Sequence, residues 1–447
     1  MSALLEAAVE AVELDAFAKE IPDLVFHGTT AYSMFKAEAT NIPVSNQSNA
    51  GGVQRPSFRV PFRVQAGSAI SQGTGNADSM LRGSGSQWAS FAIAPVYLFN
   101  VCEISWLAQA STDSKQKGLF AVKAQEMKNS LDAAMQGIEG LINADGSGMI
   151  DQIPSTATIV LSGGSPAAQT ASIAGVNVAV AFTDQQVVKF YSTAGVQRTG
   201  GGNSTATISY SDGPSNTLYF STVLPSDVVT TDYIVVQGAT YGAGNSILGI
   251  KAWDVNSNTG TIGGLNRNAY PGRLSTPTIN LAGAALTPNI AQRAEVLLGR
   301  ALGPDADSIK SGVWYGPPEQ AMAQSNLFYN VQIINAQEVK GDKTMDMSRK
   351  YFSDTFGGRK YHKSFTFSPN RMDLLVLDHW YIGELSPLEL YDFGGGNVVA
   401  PVPDIGNGTS NGSYLTSHMF AYNTCFNLAN SAPRAGLYIQ NAAVPTI

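Results

Sequence analysis

The stretch Arg55-Pro-Ser-Phe-Arg-Val-Pro-Phe-Arg-Val64 decides the fold. Its apolar residues occupy every second position, and this period of two predicts a strand with one apolar face and one polar face. A Gly/Ser-rich tract follows at 67–86, and a second apolar run occupies 88–99. The pattern predicts a two-stranded ribbon at 50–97. Because a lone ribbon is marginally stable in water, we expect its apolar face to lie on a neighbouring subunit.

Arginines are the only cations between Ala37 and Ser114, where no lysine occurs. The planar guanidinium pairs bidentately with carboxylates and is weakly hydrated, which suits a contact between subunits. We therefore predict an inter-subunit contact set with these arginines on one face and phenylalanines on the other. Its members are Arg55, Phe58, Arg59, Phe62, Arg63 and Arg82. The alternative is a solvated polar face.

The composition of the 447-residue chain indicates a surface that partners cover. Only 14% of the residues are charged, against about 25% in ordinary soluble domains. A soluble monomer normally has a well-charged exterior, so much of this surface is expected to be buried on assembly. The net charge of −7 argues against a DNA-binding surface. A secreted β-rich protein, made soluble by Ser, Thr and Asn, is the alternative.

The cysteines and the N-terminus indicate the compartment. Cys102 and Cys425 are too few for a disulfide framework, and they suit a reducing cytoplasm. No cation precedes Lys19, which argues against a signal peptide. No apolar run reaches the length of a membrane-spanning helix. We expect a protein made in the cytoplasm without export.

Further along the chain, periodicity and turn residues predict the remaining elements. Between Gln152 and Thr230 only five residues are charged, and short apolar runs separated by Gly and Asp-Gly turns predict an all-β subdomain. One of these runs is Val176–Phe182. The predicted helices are 3–20, 115–143, Thr287–Leu302 and Pro318–Tyr329. An irregular arm is predicted at 26–49, and late strands are predicted at Met372–His379, Leu415–Asn427 and Gly436–Ala443.

Motifs that would carry chemistry are weak. Gly408-Thr-Ser-Asn-Gly412 fits the serine-hydrolase pattern, but no acidic residue follows Asp404. The histidines never occur at ligand spacing, and no phosphate-binding glycine loop is present. We predict no catalytic, cofactor-binding or metal-binding site, and therefore no enzyme.

Several segments, in this order, give the chain a resemblance to a known family. They are Thr261-Ile-Gly-Gly-Leu-Asn-Arg267 followed by Tyr270-Pro-Gly, then Leu286–Ala294, Gly312–Gln320, Asn427–Arg434 and Ile439–Val444. With the ribbon and the long helix, they resemble the major capsid protein of tailed bacteriophages, which has the Hong Kong 97 fold.

The resemblance implies an α+β fold whose ribbon is the extended loop overlapping a neighbouring subunit. The implied parts are an N-terminal helix and arm (1–49), the extended loop (50–97), a peripheral domain with a spine helix (98–154), a β-rich insertion (155–250), an axial domain (251–390) and closing strands (391–447). It further implies hexamers and pentamers of this chain, and an icosahedral shell around double-stranded DNA. The portal, decoration or cement proteins would be separate partners, no membrane would be involved, and assembly would take place in the host cytoplasm.

Two departures from the family change what is expected of partners. Some members cross-link through a lysine of the extended loop, and this loop has none. Others begin with a fused scaffolding segment, whereas here the helical arm comes first, so a separate scaffolding protein is expected. The alternatives are a β-rich adhesin or tail-fibre-like binding protein, and an encapsulin-type nanocompartment shell protein.

Overall fold

The computed structural model describes residues 30–48, 54–65, 85–105, 122–161, 171–242, 246–302, 312–323, 355–356, 359–393, 397–403 and 414–445. They form an α+β structure, as predicted. The helices are α1 (Thr30–Glu38), α2 (Val122–Ile142), α3 (Ile250–Trp253) and α4 (Pro288–Leu302), and residues 318–323 are also helical. No helix in these ranges is long and apolar enough to span a membrane.

Short strands make up most of the rest. In chain order they are β1 (Thr40–Pro43), β2 (Ser45–Ser48), β3 (Gln54–Gln65), β4 (Gln87–Ile93), β5 (Val96–Ser105), β6 (Met149–Gln152), β7 (Thr158–Val160), β8 (Ala171–Ala174), β9 (Val187–Tyr191), β10 (Ala206–Asp212), β11 (Thr217–Phe220), β12 (Tyr233–Val236), β13 (Thr261–Ile262), β14 (Leu265–Asn266), β15 (Thr278–Asn280), β16 (Gly312–Gly316), β17 (Thr355–Phe356), β18 (Arg359–Lys363), β19 (Met372–Val376), β20 (Trp380–Leu390), β21 (Ala400–Pro403), β22 (Tyr414–Asn430) and β23 (Leu437–Gln440).

The chain divides into two compact units. Unit one is Met1–His27, Val96–Ile138 and Leu385–Phe426, and unit two is Gly28–Pro95, Glu139–Glu384 and Asn427–Ile447. The described part of unit one is a sheet with a helix. In it β5 runs antiparallel to β22 over ten residue pairs, and β21 pairs with the beginning of β22.

Unit two contains the larger sheets. A seven-stranded sheet has the order β6-β12-β9-β10-β11-β8-β7, and a six-stranded sheet has the order β15-β23-β19-β16-β18-β17. Each has its own apolar core, the first around Phe182, Phe190 and Phe220 and the second around Trp314 and Phe356. The ribbon belongs to a three-stranded sheet of order β2-β3-β4.

The structure confirms several predicted elements. Of the predicted helix 115–143, the described part forms α2, and α4 begins at Pro288, directly after the predicted N-cap residue Thr287. The apolar runs at 156–161 and 217–224 contain β7 and β11, and the run at 205–210 forms most of β10, which continues to Asp212. The predicted helix 3–20 lies outside the described residues.

The prediction of an irregular arm at 26–49 is wrong in its described part. Residues 30–38 form α1, which buries Ala31, Tyr32, Met34 and Phe35, and β1 then pairs in parallel with β20. The Phe35 ring lies 5.0 Å from that of Trp380. The short helix buries only one face, and its partners come from distant sequence, so local periodicity is a weak signal.

The strand prediction for Val176–Phe182 is also wrong. Residues 179–181 form a single 3₁₀ turn instead. The side chains of Val176, Ala179 and Phe182 are nevertheless buried in the core of the seven-stranded sheet. A continuous apolar run indicates that its side chains are buried, but by itself it does not distinguish a strand from a compact turn.

The late strands are shorter or longer than predicted. Strand β19 ends at Val376, where a 3₁₀ turn at 377–379 follows, and β23 covers only the middle of its predicted run. Strand β22 extends to Asn430.

Candidate subunit interface

The ribbon consists of β3 and β4, the strands that the alternating pattern predicts. They are antiparallel, with Phe58 opposite Ile93, Val60 opposite Phe91 and Arg63 opposite Trp88. The second strand ends at Ile93, not at Phe99 as the apolar run suggested. After Ala94 and Pro95 the run continues as β5, which belongs to unit one.

The apolar face of the ribbon is covered by its own chain. Phe58 is 1% exposed, Val60 0% and Phe62 8%. The Phe62 ring lies 6.0 Å from that of Tyr270, and the Phe91 ring lies 5.0 Å from that of Trp253. The expectation that Phe58 and Phe62 lie on a neighbouring subunit is therefore corrected, because at most 8% of either residue remains exposed for a neighbour to cover.

Two glycines allow this close packing. A Cβ atom on Gly383 would come within 2.1 Å of the Phe58 ring, and one on Gly263 would come within 2.9 Å of Phe91. The carbonyl of Gly263 also accepts a hydrogen bond of 2.9 Å from the amide of Ala92. These contacts fix the base of the ribbon to residues 263 and 383 of the same unit.

The opposite face of the ribbon points to solvent. Arg59, Pro61 and Arg63 are exposed on β3, and Trp88 on β4 is 66% exposed. Arg63 and Trp88 are cross-strand partners, so a cation and an indole stand side by side on this face. Arg82 lies outside the described residues, as does the side chain of Arg55. The ribbon thus offers polar and cationic groups outward, as its alternation predicts.

In unit one, β5 presents a second outward surface, which we call the outer stripe. Its members are Tyr97, Phe99 and Val101, which are 54%, 58% and 61% exposed. The Phe99 ring contacts that of Tyr391 at 6.0 Å, so the aromatic surface continues onto the segment after β20.

The other face of β5 is closed by α2. The side-chain amide of Asn100 donates to the carbonyl of Ser130 at 2.6 Å and to its hydroxyl at 3.2 Å. Cys102 lies on this side, where burial, and secondly the carboxylate of Glu126, raises its pKa to about 11. The helix thus covers the inner face of β5 and leaves the outer stripe open.

A buried polar cluster in unit two holds α1 in place. Glu139 is 1% exposed, and its carboxylate accepts hydrogen bonds from the amides of Ala31 and Tyr32 and from the hydroxyls of Tyr315 and Ser364. Burial raises the pKa of Glu139, while these donors act in the opposite direction. An anion at the first turn of a helix is favoured by the helix dipole.

A second buried cluster in unit two joins β19 to α3. The Arg371 guanidinium donates to both carboxylate oxygens of Asp373, at 2.7 and 2.8 Å, and to the carbonyl of Asp254. Burial raises the pKa of Asp254 well above its ordinary value, and the nearby Asp373 carboxylate raises it further. The Arg371–Asp373 pair is hydrogen-bonded within the protein, which is the pattern of a structural network. Among the described residues, Oδ2 of Asp254 is buried without a hydrogen-bond partner.

The described residues show no cluster of side chains typical of a metal-binding site. They contain no group of three His, Cys, Asp or Glu side chains that could hold a metal ion. Cys102 and Cys425 are free thiols. The Gly408–Gly412 motif lies outside the described residues.

Comparison with known proteins identifies the architecture. No protein-family model and no curated protein matches the chain. The chain is similar to one in the cyanophage A-1(L) capsid asymmetric unit, with a TM-score of 0.53 and 10% identity over 95% of this chain and 96% of that one. The chain has a phage capsid fold. This confirms the α+β class and the fold that the sequence motifs indicated.

Two other solved structures are also similar. A chain of Gordonia phage Cozz gives a TM-score of 0.45 at 10% identity, over 95% of this chain and 90% of that one. A capsid chain of a native GTA particle, computed with C5 symmetry, gives 0.43 at 10% identity, over 97% and 98%.

Sequence reasoning located the ribbon and its outward arginines but missed the outer stripe. The signal was present, because Tyr97, Phe99 and Val101 alternate along the chain. It was hidden because Leu98, between Tyr97 and Phe99, and Cys102, after Val101, are also apolar, so the run resembles a strand buried on both faces.

Proposed function

We propose that this chain is the major capsid protein of a tailed bacteriophage, which assembles into the icosahedral head shell. One observation carries the proposal: the fold corresponds to that of the cyanophage A-1(L) capsid chain over nearly the whole length of both. The alternatives, an adhesin or tail-fibre-like protein and an encapsulin-type shell protein, have no observation that favours them.

The outward face of the ribbon is the first contact that we assign to the shell. Arg59, Arg63 and Trp88 are exposed together and would meet carboxylates or backbone carbonyls of a neighbouring copy. Arg55 and Arg82 complete the proposed set. Each contact of this kind is weak, but a closed shell repeats it at every subunit, and multivalency makes the assembly stable.

The remaining parts of the proposal concern the domains and partners. The axial domain (251–390) would meet its copies around the five-fold and six-fold axes of pentamers and hexamers. The insertion (155–250) would decorate that plan. Scaffolding, portal and decoration or cement proteins would be separate chains, and assembly would occur in the host cytoplasm before the protein becomes part of the virion.

The electrostatics suit a container that encloses DNA without binding it. The net charge of −7 repels a polyanion, and dense packing of double-stranded DNA requires that the wall does not hold it. The protein would work as a wall and not as an enzyme.

The test is assembly. The protein is expressed with and without the other head proteins of its source, and the products are examined by negative-stain microscopy and analytical ultracentrifugation. We expect closed shells tens of nanometres across. A stable monomer under every assembly condition would contradict the proposal.

A further inference from the structure

The sheet edges of the described residues differ in how they are protected against pairing with another strand. Edge strands usually carry prolines, lysines or bulges, or are very short, because an open edge is a template for strand addition. Here β21 contains Pro401 and Pro403, β1 has four residues and ends at Pro43, and β17 has only two residues. Part of the edge of β4 is covered by Gly263, which bonds to Ala92.

Strand β5 lacks every one of these devices. It has ten residues, pairs only with β22 among the described strands, and contains neither proline nor lysine. Its one charged residue is Glu103, near its end. The same strand carries the outer stripe, whose three large side chains are more than half exposed. Among the described residues, an edge without these devices and an exposed apolar face therefore coincide on one strand.

The order of side chains along β5 makes it complementary to itself. If two copies of β5 run antiparallel about a two-fold axis at Asn100, residues whose numbers sum to 200 lie opposite each other. Phe99 then faces Val101 of the other copy, which pairs an aromatic with a β-branched side chain, a favourable cross-strand pair. Tyr97, whose hydroxyl also hydrogen-bonds to Cys425 within its own chain, faces Glu103, so a hydroxyl meets a carboxylate instead of two carboxylates meeting. Among the described residues, one oxygen of Glu103 accepts a hydrogen bond, from the hydroxyl of Ser417 at 2.5 Å.

We propose that β5 is an assembly edge, at which β5 of a second copy of this chain adds antiparallel about a two-fold axis. This inference rests on the proposed function, because an icosahedral shell supplies two-fold and quasi-two-fold axes between identical chains. The pairing satisfies the outward backbone groups of both strands. It also joins the two outer stripes into one continuous apolar face.

The first experiment is cross-linking with two populations of subunits. Phe99→Cys protein and Val101→Cys protein are mixed before assembly, and the assembled shells are mildly oxidised. Directly opposed residues of an antiparallel pair have Cα atoms about 4.5–5.5 Å apart, within the range of Cα separations that a disulfide spans. Mass spectrometry should find the 99–101 mixed disulfide at least several-fold above either homodimer, with Val196→Cys as the exposed-valine control. No disulfide, or equal yields of all pairs including the control, would overturn the proposal.

The second experiment adds a charge to the edge. Val101→Lys should lower the yield of shells at least tenfold, while the thermal unfolding midpoint of the dissociated subunit stays unchanged. Val196→Lys makes the same substitution at a 64% exposed position in a turn of the seven-stranded-sheet region and should leave the yield unchanged. Wild-type yield from Val101→Lys would overturn the inference.

The two proposals fail in different ways. If wild-type protein forms no shells, the proposed function fails. If it forms shells in which residues 99 and 101 do not cross-link, only the two-fold pairing of β5 fails. If a cysteine at 99 instead cross-links to a different protein of the head, the occupant of the edge is that protein and the inference is wrong.

Discussion

The ribbon strand β3 and strand β5 both have apolar side chains at alternate positions, but the apolar face of β3 is buried and that of β5 is exposed. The ribbon buries Phe58 and Val60 in its own chain to 1% exposure or less, whereas Phe99 and Val101 on β5 remain more than half exposed. Burying a large apolar side chain contributes about 1.5–3 kcal/mol. The ribbon thus uses its apolar face for folding, whereas β5 leaves its own exposed, and we propose that a second copy covers it on assembly. Apolar alternation alone therefore does not tell a face buried within the chain from an exposed one.

The largest contrast is expected from matched truncations of the two faces. Phe58→Ala should destabilise the isolated subunit by about 3–5 kcal/mol, the cost of removing a buried phenylalanine. Phe99→Ala should change subunit stability by less than about 0.5 kcal/mol, as for an exposed substitution, but should lower the yield of shells. Urea unfolding of the dissociated subunit and sedimentation of assembly reactions measure the two effects. Equal destabilisation by both substitutions would remove the distinction.

Thiol labelling separates the two faces of β5 itself. Cys102 on the helix side has a pKa of about 11, so at pH 8 only about one in a thousand of these groups is the reactive thiolate. A cysteine placed on the open face by Phe99→Cys should have an ordinary pKa and react with iodoacetamide about 100-fold faster in the free subunit. Mass spectrometry of timed samples gives both rates. Comparable rates would mean that α2 does not close the inner face.

Gly383 tests how tightly the ribbon is fixed to its own chain. Gly383→Ala places a methyl group against Phe58 and should destabilise the subunit by about 1–3 kcal/mol, as overpacking does. Gly272→Ala is the control for space, because nothing lies within 4 Å of a Cβ there, although its φ of 70° adds some backbone strain. Thermal unfolding of the subunit measures both. A Gly383→Ala protein as stable as wild type would show that the Phe58 ring moves at little cost to make room for the methyl group.

The smallest effect is expected on the outward face of the ribbon. Arg59→Ala should leave the dissociated subunit unchanged, because this arginine is exposed. In the shell, Arg59→Ala would remove the proposed ion pair with a neighbouring copy. The loss of stability would be about 1 kcal/mol per subunit if that ion pair is exposed to water, and a few kcal/mol if it is desolvated. The melting temperature of shells should therefore fall below that of wild type, with Arg273→Ala as a control from another exposed site. Shells of both variants that melt with wild type would mean that the arginine face is merely solvated.

Period-two alternation and short apolar runs were sufficient to predict the ribbon, the outward Arg59 and Arg63, and three strands of the seven-stranded sheet (β7, β10 and β11), because side-chain direction in a strand is a local property. The residues that cover an apolar face can be distant in the sequence, so the local pattern does not predict them. Phe58 is buried because Gly383, more than 300 residues away, leaves room for its ring. The same limit explains why α1 was missed, since its burial depends on Trp380 and on the carboxylate of Glu139.

Hydrogen exchange of the two strands, in the dissociated subunit and in the shell, tests the central claim most directly. Peptides covering 54–65 and 96–105 are followed by mass spectrometry in both states. We expect the amides of the ribbon peptide to be equally protected from exchange in the subunit and in the shell, because the partners of the ribbon are in its own chain. The β5 peptide should exchange rapidly at about half of its amides in the subunit and become protected on assembly. A β5 peptide with the same protection in both states, or a ribbon peptide that gains protection only in the shell, would contradict it.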